Sequence, residues 1–251
     1  MGKIFMRSKL LAAYKNLNHG VIGRKYKIVD YQLVKEDFLP IFRRRGLNKF
    51  FAIKRTDLIF YGGQQHTNRV ALVKTKKRGQ LAFPRTDALV TNQKNSYLFV
   101  YTADCLPLLF YSPQREVIAA AHAGYRGVLN GVAERVVKMM VSKFQVNKRD
   151  INIFVGPAIL SCHYNIGRNV EKLFIKKFGR SVIKRKSGEI YLDLEKSLKI
   201  QLIKCGILPE KIDFSHVCTV CRNQDYYSAR KEGLFGKSRF DSNWTFIGLK
   251  Q

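Results

Sequence analysis

Three apolar, β-favouring runs crowd into the middle of the chain, at 97–102, 106–111 and 117–121. None has the polar/apolar alternation of a strand with one wet face, so each predicts a buried strand. Ser112-Pro113-Gln114-Arg115 between the second and third is turn chemistry, which makes those two a hairpin. After Gly127, the residues Val128, Val132, Val136 and Met139/Met140 recur at helical spacing to about Phe144. A strand at 151–155 follows, stopped by Gly156-Pro157. Beyond it the pattern predicts helices at 168–178 and 194–204, a strand around Tyr191, a strand at 212–217 and a polar, aromatic tail to Leu249. The first twenty residues set Leu10, Leu11, Ala13 and Leu17 among Lys and Arg, the pattern of a short amphipathic helix. Residues 21–80 read as strands and turns with a break at Gly62-Gly63. Strands and helices alternate without a regular βαβ rhythm, which predicts a single α/β (α+β) domain with mixed β-sheets flanked by helices.

The chain has 251 residues, within reach of one large domain, here taken as 1–251. Folding at that length buries roughly 70–75% of the surface, so the core requires no metal or disulfide staple. No stretch approaches the ~20 apolar residues that span a bilayer, and no membrane partner is expected. The five cysteines, Cys105, Cys162, Cys205, Cys218 and Cys221, are an odd set. Leu10-Leu11-Ala12-Ala13 is too short for a signal core, and together these features predict a reducing, cytoplasmic location. Lys plus Arg number 46 against 18 acidic residues, a net charge of +28. Such a field favours anionic partners, but the basic residues are scattered, with clusters only at Arg43-Arg44-Arg45 and at 74–78. Nucleic-acid binding of an unspecific kind is the corresponding expectation.

Chemistry concentrates at strand ends. Thr102-Ala103-Asp104-Cys105-Leu106-Pro107 is followed, 17 positions after the cysteine, by His122 in Ala120-Ala121-His122-Ala123-Gly124-Tyr125-Arg126-Gly127. A hairpin brings Cys105 and His122 side by side, as a thiolate–imidazole nucleophile pair or as two ligands of a soft metal. Small residues around His122 leave room for close approach, and Arg126 stands where a helix opens. His66 in Gln64-Gln65-His66-Thr67-Asn68 completes a two-His, one-Cys set of the kind a catalytic zinc takes with one position left open. Such a zinc lowers the pKa of water to about 7 or polarises a substrate oxygen. Cys218-Thr219-Val220-Cys221 reads as strand-end packing, since a structural zinc needs a second pair that only Cys162-His163 offers. Tyr226-Tyr227-Ser228-Ala229-Arg230-Lys231 and Gly236-Lys237-Ser238-Arg239 set aromatics beside cations, suited to stacking a base and holding an anion.

TADCLP at 102–107, AAAHAGYRG at 119–127, GPAI at 156–159, Asp-Leu at 193–194, CT at 218–219 and SARKEG at 228–233 together resemble the laccase-domain (polyphenol oxidase-type) purine nucleoside phosphorylase family. The resemblance is strongest over about 60–250. It implies a mononuclear zinc site on His66, Cys105 and His122, with copper as the alternative metal. It also implies phosphorolysis of adenosine, inosine and 5′-methylthioadenosine to base and pentose 1-phosphate, with deamination of adenosine as a second activity. The implied partners are a purine nucleoside and inorganic phosphate, and the implied fold is distantly similar to cysteine-hydrolase-like toxin domains. In that frame Cys105, His122, Asp104 and Arg126 are the expected catalytic residues, and Arg126, Tyr125 and Arg230 the expected substrate contacts. Tyr125 stands where the family has Trp, Thr67 where it has Gly after the first metal histidine, and the family's N-terminal segment is not recognisable. Competing expectations are copper-dependent phenol oxidation, for which five histidines are few, a metal-free Cys-His hydrolase acting on cell-wall precursors, and a basic nucleic-acid-binding module.

Overall fold

Strands with no polar face must be covered on both sides, and the structure, a computed structural model, does this with a second sheet on one side and helices on the other. It describes residues 6–24, 53–54, 57–74, 80–233 and 242–251. The described elements begin with α1 (Lys9–Ala12), β1 (Leu17–Ile22), β2 (Leu58–Gly63), β3 (Val70–Leu72), β4 (Gln80–Pro84) and β5 (Ala88–Thr91). The hairpin region follows as β6 (Ser96–Thr102), β7 (Leu106–Ser112), β8 (Val117–Ala123), α2 (Tyr125–Leu129), α3 (Val132–Phe144) and β9 (Asn152–Val155). Then come α4 (Arg168–Phe178), β10 (Ile183–Lys186), β11 (Glu189–Leu192), α5 (Leu194–Lys204), β12 (Ile212–Phe214) and β13 (Asn243–Leu249).

Two mixed sheets carry the fold. One has the order β12-β9-β7-β8-β5-β3 and the other β1-β13-β6-β2-β4, with β10-β11 a separate ribbon. β7 and β8 are buried at every position. Their side chains divide by parity, as a pleated strand requires. Leu106, Leu108, Phe110, Ala119, Ala121 and Ala123 face the helices, packing with Val136, Met140, Phe174 and Leu198. Leu109, Tyr111, Ile118 and Ala120 face the second sheet, against Phe60, Leu98, Val100 and Ile247. The alanines of β8 keep this central strand thin, which lets the layers on both sides close over it.

The mixed-sheet α/β architecture and most central elements match the sequence expectation. Three differ. The helix expected from Gly127 is split at Asn130-Gly131, where Gly131 takes a left-handed φ of 75° that ends one helix and re-aims the next. The polar tail is instead β13, buried along its length between β1 and β6. Its Thr and Asn are hidden because the strand is central to its sheet, a tertiary fact its composition does not carry. The N-terminal amphipathic helix is one turn, after which Leu17 already belongs to β1. Arg43-Arg44-Arg45, the 75–78 part of the 74–78 cluster and Gly236-Lys237-Ser238-Arg239 lie outside the described residues, as does most of the segment where the family's N-terminal motif is unrecognisable.

His19 on β1 is buried, with Nε2 3.2 Å from the Ser8 amide nitrogen. Burial, partly offset by the Ser8 backbone, pulls its pKa down from 6.5 to about 4. A depressed histidine pKa means that the unfolded chain binds more protons between the two values. Its stabilisation is therefore complete above pH 6.5 and is lost as pH falls through about 4. In equilibrium denaturation, acidification across this window removes roughly 3 kcal/mol that a His19→Gln variant does not lose. Equal acid sensitivity in the two proteins excludes this role.

Candidate metal centre

Cys105 stands one residue before β7, and His122 lies on β8 opposite Pro107. Both continue the parity of Leu109 and Ala120, so they project from one face at one end of the hairpin. His66, in the loop after β2, arrives from the neighbouring sheet. The Cys105 Sγ and one nitrogen from each histidine all lie within 4.8 Å of one another. Cys105 Sγ is 4.0 Å from His66 Nδ1, and the two imidazole rings are 4.8 Å apart between centroids. His66 is exposed, Cys105 half-buried and His122 buried, so the cluster opens to solvent on one side.

Gly124 gives the cluster its room. A Cβ there would sit 2.8 Å from His66 Nδ1 and 2.9 Å from Cys105 Sγ, closer than either atom tolerates. His66 and Asp104 themselves hold left-handed φ angles of 56° and 90°, strain of the sort that persists where surrounding contacts over-determine the backbone.

The surrounding contacts centre on Asp87, a residue the sequence analysis did not single out. Its Oδ1 accepts from His122 Nδ1 at 2.8 Å and from the His66 amide at 3.0 Å. Its Oδ2 accepts from the Thr67 hydroxyl at 2.6 Å and from the Thr67 and Gln65 amides at 2.8 and 3.3 Å. One buried carboxylate thus fixes the His66 loop and turns His122 so that Nε2 faces the cluster. The carboxylate–histidine–metal arrangement of known sites has this form. A sequence signal was present: Asp87 stands immediately before a buried apolar strand, as Asp104-Cys105 does.

Burial opposes charge at all three groups, and their mutual contacts overcome it. His122, then His66, draw the Cys105 thiol down to about 6. Cys105 and Asp87 together push His122 up to about 9. Hydrogen bonds from His122 and Thr67 hold the Asp87 carboxyl down to about 2. These contacts favour the thiolate form of Cys105 and the imidazolium form of His122. One thiolate and two imidazoles on convergent atoms suit a zinc ion with one position left for substrate.

A model of the multi-copper polyphenol oxidoreductase laccase family matches residues 41–241. The chain belongs to that family. It is 29% identical to the purine nucleoside phosphorylase YlmD of Bacillus subtilis over 76% of its own length and 70% of the relative's. It is 27% identical to the human purine nucleoside phosphorylase LACC1 over 87% of this chain, spanning about half (48%) of that longer protein. A prokaryotic protein named adenosine deaminase RL5 is 29% identical over 74% of the chain and 72% of its own. The crystal structure of the Bacillus licheniformis hypothetical protein YfiH superposes with a TM-score of 0.84 at 25% identity, covering 99% of this chain and 98% of that one.

In this laccase-family chain the other expected site residues are differently engaged. Tyr125 and Arg126 begin α2, with the Arg126 guanidinium 5.3 Å from the Tyr125 ring centroid and its side chain exposed. The Asp104 carboxylate accepts from the Thr219 hydroxyl at 2.6 Å and the Arg230 amide at 2.7 Å. It thus ties the C-terminal loops to the residue beside Cys105. The Arg230 guanidinium reaches the carbonyls of His163 and Asn165 at 3.4 and 3.1 Å and lies over the Tyr164 ring. Burial, then Cys105, Tyr125 and Asp104, push the pKa of Tyr164 up against the opposing charge of Arg230; no sequence pattern marks this residue. A separate hollow of about 570 Å³, lined by Lys184, Glu195, Phe214 and His216 among others, includes none of these groups. Among the described residues, no helix is long and apolar enough to cross a membrane.

Proposed function

We propose that this chain is a zinc-dependent purine nucleoside phosphorylase that cleaves adenosine, inosine and 5′-methylthioadenosine, with adenosine deamination as a side activity. The convergence of His66, Cys105 and His122 on one point, braced by Asp87, carries this reading. The names borne by its relatives support it. The whole 1–251 chain acts as one such domain. The reducing cytoplasm is its setting, because a thiolate ligand persists there.

His66, Cys105 and His122 would hold the zinc, which when bound supplies a Lewis acid at the mouth of the site. Arg126, exposed beside it, offers phosphate a bidentate, charge-assisted contact. Tyr125 presents a ring for stacking. Arg230 adds positive potential while holding the loop that carries Tyr164. In phosphorolysis a phosphate oxygen bonds to the sugar C1′ as the C1′–N9 bond breaks, and the departing base takes up a proton. Arg126 orients the phosphate, and Asp104 fixes the backbone on which Cys105 is displayed.

Metal analysis of the purified protein, alongside phosphate-dependent release of purine base from adenosine, tests this reading. Base release dependent on zinc supports it. Copper with phenol oxidation, or turnover of other substrates after complete metal removal, overturns it. The second outcome would favour a Cys-His hydrolase, which the thiolate–imidazolium pair of the metal-free cluster also permits. Arg126→Ala is expected to raise the KM for phosphate roughly tenfold to hundredfold, the loss of one charge-assisted contact, with kcat much less changed. Initial rates across a phosphate series check this, and an unchanged KM removes Arg126 from the phosphate site.

A further inference from the structure

The CxxC pair does not pack as an ordinary strand end. The segment after β9 and the one after β12 are zipped together by backbone bonds from Ala158 to Val217 and from Thr219 to Ala158, at 3.1 and 3.0 Å. This lays Cys162-His163, in a turn closed onto Leu160, over Cys218 and Cys221. His163 Nδ1 is 3.2 Å from Cys162 Sγ, 3.4 Å from Cys221 Sγ and 3.7 Å from Cys218 Sγ. Cys162 and Cys221 sulfurs are 3.8 Å apart, and all four ligand atoms lie within 4.8 Å of one another. A tetrahedral zinc with Zn–S of about 2.3 Å and Zn–N of about 2.0–2.1 Å has edges of roughly 3.6–3.8 Å. Three of the four spacings, 3.4, 3.7 and 3.8 Å, lie within about 0.2 Å of those edges, and the His163–Cys162 contact at 3.2 Å is shorter.

A Cys162–Cys221 disulfide would need its sulfurs to close to about 2.05 Å, and it would leave His163 and Cys218 aimed at an empty centre. Three thiols and an imidazole also close the coordination shell, leaving no position for substrate, which marks a structural rather than catalytic ion. We propose that Cys162, His163, Cys218 and Cys221 form a second, structural zinc site that clamps the two loops bracing Asp104 and Arg230. Thr219, inside the CxxC, donates to Asp104, and the His163 carbonyl accepts from Arg230. The clamp is therefore one hydrogen bond from the residue that neighbours Cys105.

Zinc per chain, measured by elemental analysis on protein purified under reducing conditions, tests the assignment. Wild type is expected to hold about two ions, and Cys105→Ala about one, bound at the intact closed site. Cys162→Ser/Cys221→Ser is expected to hold one at the other cluster. Cobalt loaded into Cys105→Ala should show intense thiolate-to-metal charge transfer and tetrahedral d–d bands. The Cys105→Ala measurement alters nothing at the proposed site, so it decides the matter even if the double variant fails to fold. A metal-free, cobalt-silent Cys105→Ala overturns the proposal, as does a denatured wild-type mass two hydrogen atoms short that reports a Cys162–Cys221 disulfide. One ion in wild type, kept by Cys105→Ala and lost by the double variant, supports it while refuting the catalytic metal. The clamp further predicts faster amide exchange across 218–230 in the double variant, and unchanged exchange after loss of the ion refutes the positioning role.

Discussion

Cys105→Ala is expected to abolish metal binding at the His66–Cys105–His122 cluster and to lower phosphorolysis on the order of 10³-fold or more. The magnitude follows from the several kcal/mol of charge stabilisation a Lewis-acid metal supplies, at about 1.4 kcal/mol per factor of ten. The substitution removes the one anionic ligand, and the two imidazoles left behind bind zinc weakly. Folding should survive, because Cys105 lies at the edge of the hairpin while the strands beyond it are packed by Leu106, Leu108 and Phe110. Circular dichroism and a thermal melt establish the fold, metal analysis the occupancy, and base release the turnover. Retained phosphorolysis in a variant shown to lack this metal would sink the zinc mechanism.

Asp87→Ala should be nearly as damaging for a different reason. It removes the acceptor that orients His122, an effect worth about 10–100-fold in metal affinity at comparable sites. It also leaves the amides of Gln65, His66 and Thr67 without their carboxylate, in a loop where His66 already holds a left-handed conformation. Losing a buried, multiply bonded carboxylate costs about 3 kcal/mol of stability. Asp87→Asn separates the two effects: it keeps the volume and one acceptor oxygen but not the charge. The alanine variant is expected to lose both stability and metal affinity, and the asparagine variant mainly affinity. Competition with a chromophoric chelator measures the affinity, and a wild-type affinity in Asp87→Ala would remove Asp87 from the site.

Local chemistry made much of the centre legible. Leu106 to Tyr111 and Val117 to Ala121 have no polar face to offer water, so their burial follows from composition, and the Ser-Pro-Gln-Arg turn dictates the hairpin. From the hairpin, the juxtaposition of Cys105 and His122 follows by register. His66 joined them on donor chemistry and family resemblance, and the fold places it there. Arg230 reads as a loop cation beside aromatics, and its guanidinium lies over Tyr164, but its two carbonyl partners, His163 and Asn165, are 67 and 65 residues away.

What escaped the reading shares a single cause. Asp87 and Thr219 act through partners 35 and 115 residues away in sequence (His122 and Asp104), and Tyr164 lies near Tyr125 and Cys105, 39 and 59 residues away. No periodicity or short motif encodes such distances. β13 looked like a polar tail because Asn243 and Thr245 are polar. They are buried because the strand lies between β1 and β6. Cys218-Thr219-Val220-Cys221 and Cys162-His163 are each half of a donor set, and only the backbone zipper between the loops after β9 and β12 makes them one. Sequence alone determined which segments must be buried, where the hairpin turns and which side chains carry metal-binding chemistry, because those are properties of residues within a few positions of each other. The tertiary structure decided which carboxylate orients which histidine and which cysteines converge, because those depend on how strands distant in sequence stack to bury their faces.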